Sequence, residues 1–195
     1  MSGDTHAVVG ALTATLVMHP NNLQEFAVSA GIGALGGLLV DIDLKQSTGS
    51  KIMKKLVTMM LGVSLVVLVG VLKGGVSAPK FNLANCSQML IGALMFIGLV
   101  IIGSKSSHRM VTHSIEFALL FFISILLIQP QFAVPMLCGY VSHIILDLFN
   151  KKNVRVSMIF NFKCCLDLVP ANGKANSIVM WASMFGLSMC ALSVL

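Results

Sequence analysis

Apolar positions along this chain come in long runs, without the strict alternation of half-buried strands. Seven runs cover roughly residues 7–18, 26–40, 56–72, 86–103, 114–128, 132–149 and 178–195. A helix that crosses the hydrocarbon core of a bilayer needs about 20 residues, within a tolerated range of about 17–25. The third, fourth, sixth and seventh runs qualify. The first, second and fifth are short, so they are either extended by polar ends or enter the bilayer only part way. Turn-forming segments separate the runs: HPNN at 19–22, KQSTGSK at 45–51 and QPQ at 129–131. The pattern predicts an all-α, polytopic membrane helix bundle of about seven helices, some short or partly inserted. It also predicts a single integral membrane domain over residues 1–195, because no interval between runs is long enough for a separate soluble domain.

Composition agrees. Hydrophobic residues make up 56% of the chain and charged residues 10%, with a mean hydropathy of +0.92. A soluble domain carries about 25% charged residues. The N-terminal MSGDTH has no basic region, so no cleaved signal peptide is expected. The five cysteines are scattered without a CxxC spacing, and no disulfide framework is expected. Cys138 and Cys190 read as small core residues. The adjacent Cys164 and Cys165 leave interfacial packing and metal binding both open.

The net charge of +6 would suggest nucleic acid in a soluble protein, but here the basic residues sit mainly in short loops between apolar runs. With one Trp and one Tyr there is no basic patch interleaved with aromatics, so nucleic acid is not an expected partner. The charge instead reports topology and contact with membrane lipids. If every run crosses once and the N-terminus is cytoplasmic, one face holds Lys45, Lys51, Lys54, Lys55, Lys105, Arg109, Lys151, Lys152, Arg155, Lys163 and Lys174. The other face holds Lys73 and Lys80, an eleven-to-two division of the thirteen basic residues.

GIGALGG at 31–37 formally matches a dinucleotide-binding spacing, but it lies inside an apolar helix and not between a strand and a helix. Small residues at this spacing let membrane helices pack closely, which is the expected role.

Ionisable residues inside apolar runs are costly and point to function. His6 begins the first run, and Asp41 and Asp43 follow the second. His108, Arg109 and His113 precede the fifth, and His143 and Asp147 lie near the end of the sixth. The basic residues alone put all four segments at one depth, on the cytoplasmic side. His19, beside Pro20 on the other face, reads as a turn residue. His143 and Asp147 stand four apart and share one helical face, which fits a hydrogen-bonded pair or half of a metal site. Imidazole and carboxylate together are the ligand set of Zn²⁺, the metal expected first, or of Mn²⁺ and Fe²⁺.

Four blocks carry a family resemblance: HAVVGA, GGLLVDIDL, SSHRMVTHS and GYVSHIILDLFNKKNV. Their order and spacing over roughly residues 5–155 resemble the YdjM family of inner-membrane, metal-dependent hydrolases. The C-terminal loop and last helix, 156–195, lie outside that likeness. The resemblance carries the family's His and Asp positions to His6, Asp41, Asp43, His108, His113, His143 and Asp147. It implies a multi-pass protein of a bacterial inner membrane. The HxxxD pair is also similar, at motif level, to soluble zinc phospholipase C. Where the family reads PDIDH, this chain has Val40 and Leu44 in place of Pro and His. Asn153 stands where the family prefers Gly, and MIFNF replaces a Trp-Pro-Phe-like block.

The expected protein is thus a membrane-embedded, metal-dependent hydrolase acting on a phosphoester or other amphiphilic, lipid-like substrate from the cytoplasmic leaflet. The expected ligands are His6, Asp41, His113, His143 and Asp147. Asp43 is a further ligand or the base, His108 the acid for the leaving group, and Arg109 the group that steadies a phosphate. Thr112, Ser114 and Glu116 are expected behind the ligands, orienting them; Glu116 could instead pair with a Lys. Two other classes use the same residues differently. A small transporter or metal-ion carrier would spread ionisable groups over several depths. A non-catalytic membrane regulator would use the polar cluster only to lock its helices.

Overall fold

Polar side chains at the ends of the apolar runs start and stop the helices. In the computed structural model, which describes residues 1–44, 47, 51, 52, 55, 58, 83–107, 109–170 and 173–195, helix α1 spans Gly3–Met18. The hydroxyl of Ser2 caps it by accepting from the Thr5 amide, and it stops at His19, which adopts a left-handed φ of 46° before Pro20. Helix α2, Leu23–Leu39, opens on a reciprocal cap: Asn22 accepts from the Glu25 amide, and Glu25 accepts from the Asn21 amide, both at 2.9 Å. It tightens at its end into one 3-10 turn, Val40–Asp43.

Helix α3 spans Leu83–Lys105. Helix α4, Ile115–Ile128, is capped by Ser114, whose hydroxyl accepts from the Phe117 amide at 3.3 Å. Helix α5, Pro130–Leu148, begins on a proline, where a missing N–H costs nothing. Helix α6 spans Lys174–Leu192. Six α-helices are thus present among the described residues. Four segments are long and apolar enough to cross a membrane: Leu23–Asp43, Ser87–Lys105, Pro130–Leu148 and Lys174–Leu192. The apolar run at 56–72 lies outside the described residues.

One element departs from the all-α expectation. Strands β1, Val154–Ser157, and β2, Phe162–Cys164, pair antiparallel, with Val154 opposite Cys164 and Arg155 opposite Lys163. Val154 and Val156 alternate with polar residues, and Asn161 supplies a left-handed residue in the turn with φ of 49°.

Glu116, expected behind the His/Asp cluster, instead holds this hairpin. Its carboxylate accepts from the Ser157 hydroxyl at 2.5 Å and from the amides of Met158 at 3.1 Å and Ile159 at 3.3 Å. A carboxylate in the first turn of a helix can gather several N–H donors from a loop passing that end, and the hairpin supplies them. Glu116→Ala is expected to speed amide exchange at Met158 and Ile159, while the helices keep their protection. Hydrogen exchange of the detergent-solubilised protein checks this.

Two kinds of packing build the bundle. Helices α1, α2 and α5 meet through glycines. A methyl group added at Gly10 would lie 2.5 Å from the Gly33 carbonyl oxygen, and one at Gly37 would lie 2.4 Å from that of His6. Gly33, Gly36 and Gly37 of the GIGALGG segment all make such approaches, as expected of a close-packing motif. The other core is bulky: Leu39 and Ile42 at the end of α2, Leu99 of α3, Phe117 and Phe121 of α4, and Tyr140 and Ile144 of α5. Large apolar residues remain on the outer faces of α3 and α6, including Leu90, Leu94, Trp181 and Phe185, as suits helices bathed in lipid. Asn176 ties α6 to the start of α1, accepting from the Ser2 amide at 2.9 Å and the Thr5 hydroxyl at 3.0 Å.

Candidate metal centre

Chain direction brings the polar blocks together. The start of α1, the end of α2, the turn before α4 and the end of α5 meet at one end of the bundle, where His6, His113 and His143 are buried with Asp147. Each element contributes for a local reason. On a regular α-helix, Asp41 and Asp43 would lie on nearly opposite sides. The 3-10 turn, with a non-helical Asp41 at φ −84° and ψ 18°, lets both carboxylates reach the centre. Asp41 Oδ1 comes to 3.7 Å from His143 Nε2, and Asp43 Oδ2 to 3.9 Å from His113 Nδ1. The segment before α4 is held by Tyr140, whose hydroxyl donates to the Thr112 carbonyl.

Asp147 stands at the middle. Its Oδ1 lies 3.3 Å from His6 Nε2, and its Oδ2 lies 3.5 Å from His113 Nε2 and 3.9 Å from His143 Nε2. Its positive neighbours are the Arg109 guanidinium and the Met1 amino group, each at 3.1 Å. Asn150 donates to it at 2.6 Å. The rings of His6 and His143 stack, with centroids 3.6 Å apart and planes 17° apart.

Hydrogen bonds behind the rings decide which nitrogen carries each proton. His143 Nδ1 lies 2.6 Å from the Gly37 carbonyl oxygen. A carbonyl can only accept, so Nδ1 carries the hydrogen, and in the neutral ring Nε2 presents a lone pair. That nitrogen faces Asp41 and Asp147, and among the described residues no hydrogen-bond partner reaches it.

A similar relay sits behind His113. Thr112 donates its hydroxyl hydrogen to Asp43 Oδ2 at 2.9 Å, so its oxygen accepts from His113 Nδ1 at 3.1 Å. Nε2 of His113 is thereby turned toward Asp147. The Arg109 amide also donates to Asp43, at 3.1 Å. Arg109 has a left-handed φ of 64°, a conformation that costs a non-glycine residue about 1–2 kcal/mol. Its side chain reaching Asp147 and the Lys152 carbonyl, together with its carbonyl accepting from the Arg155 amide, holds it there.

This donor set fits a divalent cation. Ligands about 2.0–2.2 Å from a tetrahedral metal stand roughly 3.3–3.6 Å from one another, beyond a good hydrogen bond. The nitrogen-to-oxygen separations at Asp147 and Asp41 fall at or just beyond that range. Two overlapping groups could hold an ion: His6, His143 and Asp147, and Asp41, His113 and His143. The five expected ligands therefore converge as two triads that share His143.

Of the residues expected behind the ligands, Thr112 sits behind His113. Ser114 is the α4 cap and donates to the Val111 carbonyl at 2.9 Å, which fixes the turn that carries His113. Glu116 serves the hairpin, as described above. His108, the expected acid, lies outside the described residues. Asn150 was not anticipated; it lies just past the end of α5, three residues after Asp147, and that closeness in the chain was the available signal.

No curated protein and no solved structure matches the chain. The family model described as YdjM inner membrane protein matches residues 1–192, a span that takes in every residue of the cluster. A match over nearly the whole length, together with the apolar helices and the His/Asp blocks, decides the assignment: the chain belongs to the YdjM inner membrane protein family.

Proposed function

We propose that the chain is a membrane-embedded, metal-dependent hydrolase whose centre opens toward the cytoplasmic leaflet. The observation that carries this reading is the environment of His143 Nε2. His143 Nε2 is buried without a hydrogen-bond partner among the described residues, and the carboxyl groups of Asp41 and Asp147 stand 3.7 and 3.9 Å from it. A polar cluster that only locked helices together would pair donors with acceptors at hydrogen-bond distance, because buried unpaired polar groups cost about 1–3 kcal/mol each. An imidazole nitrogen and carboxyl groups that converge beyond hydrogen-bond distance of one another suit a cation.

His6, Asp41, His113, His143 and Asp147 would hold it, with Zn²⁺ first and Mn²⁺ or Fe²⁺ next. A divalent ion bound there supplies Lewis acidity and makes a water available as nucleophile near neutral pH. The remaining roles belong to the chain. Gly37 and Thr112 fix the tautomers of His143 and His113. Asp43, held by Thr112 and the Arg109 amide, orients His113 in this reading. Arg109, with a side chain 13% exposed, places a planar cation at the edge of the cluster, where it can meet the anionic group of a phosphoester. A lipid-like substrate is favoured because the cluster lies at the end of apolar helices whose outer faces are exposed hydrocarbon side chains.

Metal analysis of the protein purified in detergent tests the proposal. The wild type is expected to retain a divalent metal, and His143→Ala to lose it while keeping its helical circular dichroism. Well-folded wild type that binds no metal, even after equilibration with Zn²⁺ or Mn²⁺, would sink it.

A further inference from the structure

The hairpin β1–β2 carries an exposed apolar tip, separate from the His/Asp cluster. At its tip Ile159 is 75% exposed, Phe160 83% and Phe162 56%. Each of these side chains loses favourable burial if it faces water, and together they form one apolar tip. The basic residues lie beside it. Arg155 stands directly opposite Lys163 across the two strands, and like charges at such a pair repel. Among the described residues the buried Arg155 Nε has no hydrogen-bond partner. Lys152 is exposed in the segment that leads into β1. Two cations face to face on one hairpin, beside an apolar tip, call for an anion at the level where hydrocarbon begins. The chain belongs to a membrane, and anionic headgroups at a bilayer surface meet both requirements.

The attachment of the hairpin supports the same reading. The Glu116 carboxylate grips the backbone at Ser157, Met158 and Ile159, so the tip is carried on the first turn of α4. The Arg155 amide donates to the Arg109 carbonyl at 3.2 Å. Held at two points, the hairpin presents its apolar end with little ordering left to be done, which favours binding.

We propose that residues 154–164 form an interfacial anchor: Ile159, Phe160 and Phe162 enter the acyl boundary of the surrounding bilayer, while Arg155, Lys163 and Lys152 bind anionic lipid headgroups. The anchor does not depend on the metal reading. It would set the depth of the loop that carries Arg109 and seat the rim of the cluster at the membrane surface.

The chain's single tryptophan, Trp181, makes a clean probe possible. Phe160→Trp in a Trp181→Phe background is reconstituted in phosphatidylcholine vesicles with and without phosphatidylglycerol, some carrying shallow brominated acyl chains. Expected are a blue-shifted emission, quenching by the bromolipid but not by aqueous iodide, and stronger quenching when phosphatidylglycerol is present. Lys163→Glu is expected to remove that dependence on the anionic lipid. A water-like emission quenched by iodide overturns the anchor and leaves the tip free for a soluble partner. Quenching that is equal with and without phosphatidylglycerol overturns the headgroup assignment. Metal content is measured on the same samples, so failure of the anchor and failure of the metal reading are separately visible.

Discussion

Asp147→Ala is expected to lose the metal and to destabilise the bundle more than the loss of any one histidine. The carboxylate touches every element of the cluster except the turn at Asp41 and Asp43. It is the close counter-charge of Arg109 and receives the Asn150 amide. Removing one partner of a buried ion pair costs about 3–5 kcal/mol, because the other charge is left uncompensated in a medium that solvates it poorly. Here the groups that lose this partner would be Arg109, the Met1 amino group and Asn150. The thermal midpoint in detergent is expected to fall clearly, and Asp147→Asn is expected to recover part of that fall. Asn keeps the size and can still accept from Asn150, but it supplies no charge for a cation, so metal content should stay low. If Asp147→Asn bound metal like the wild type, the placing of Asp147 among the ligands would be wrong.

Gly139→Val is expected to prevent assembly of the bundle. A methyl group at Gly139 would lie 1.9 Å from the Gly33 carbonyl oxygen and 2.8 Å from the Gly37 amide nitrogen. Both neighbours are backbone, which cannot swing aside as a side chain can. Overpacking a core usually costs about 1–3 kcal/mol, with relaxation absorbing the rest. Here relaxation requires α2 and α5 to separate. Separation would also pull Gly37 from His143 and undo the bond that fixes its tautomer. The variant should therefore lose metal as well as folded yield in size-exclusion chromatography. Gly31→Ala, in the same motif but with open space around it, is the control and should behave as wild type. A folded, metal-binding Gly139→Val protein would show that the close approach is dispensable.

Much of the fold was legible because membrane helices announce themselves by continuous hydrophobicity. The apolar runs at 26–40, 86–103, 114–128 and 132–149 correspond closely to α2, α3, α4 and α5. The role of GIGALGG was legible because a glycine run in an apolar helix has few uses other than close approach. The convergence of His6, Asp41, His113, His143 and Asp147 was legible because helices that alternate in direction return their ends to one level. The hairpin was missed: a four-residue strand inside a loop has too short an alternation to stand out. The role of Glu116 was misjudged because sharing a helical face with His113 does not say what lies beside that face.

What the sequence determined by itself is the medium, the approximate helix boundaries and the level at which His and Asp gather. All three follow from local hydrophobicity and chain direction, which need no knowledge of partners. Only the tertiary structure decided the chemistry within that level. It shows that the Gly37 carbonyl claims one nitrogen of His143, that Thr112 links His113 to Asp43, and that Asp147 faces three imidazoles at once. Those outcomes depend on ångström-scale distances between different elements, such as those that carry Gly37 and His143. Such distances are set by how closely glycine-lined helices pack, and no reading of one segment contains them.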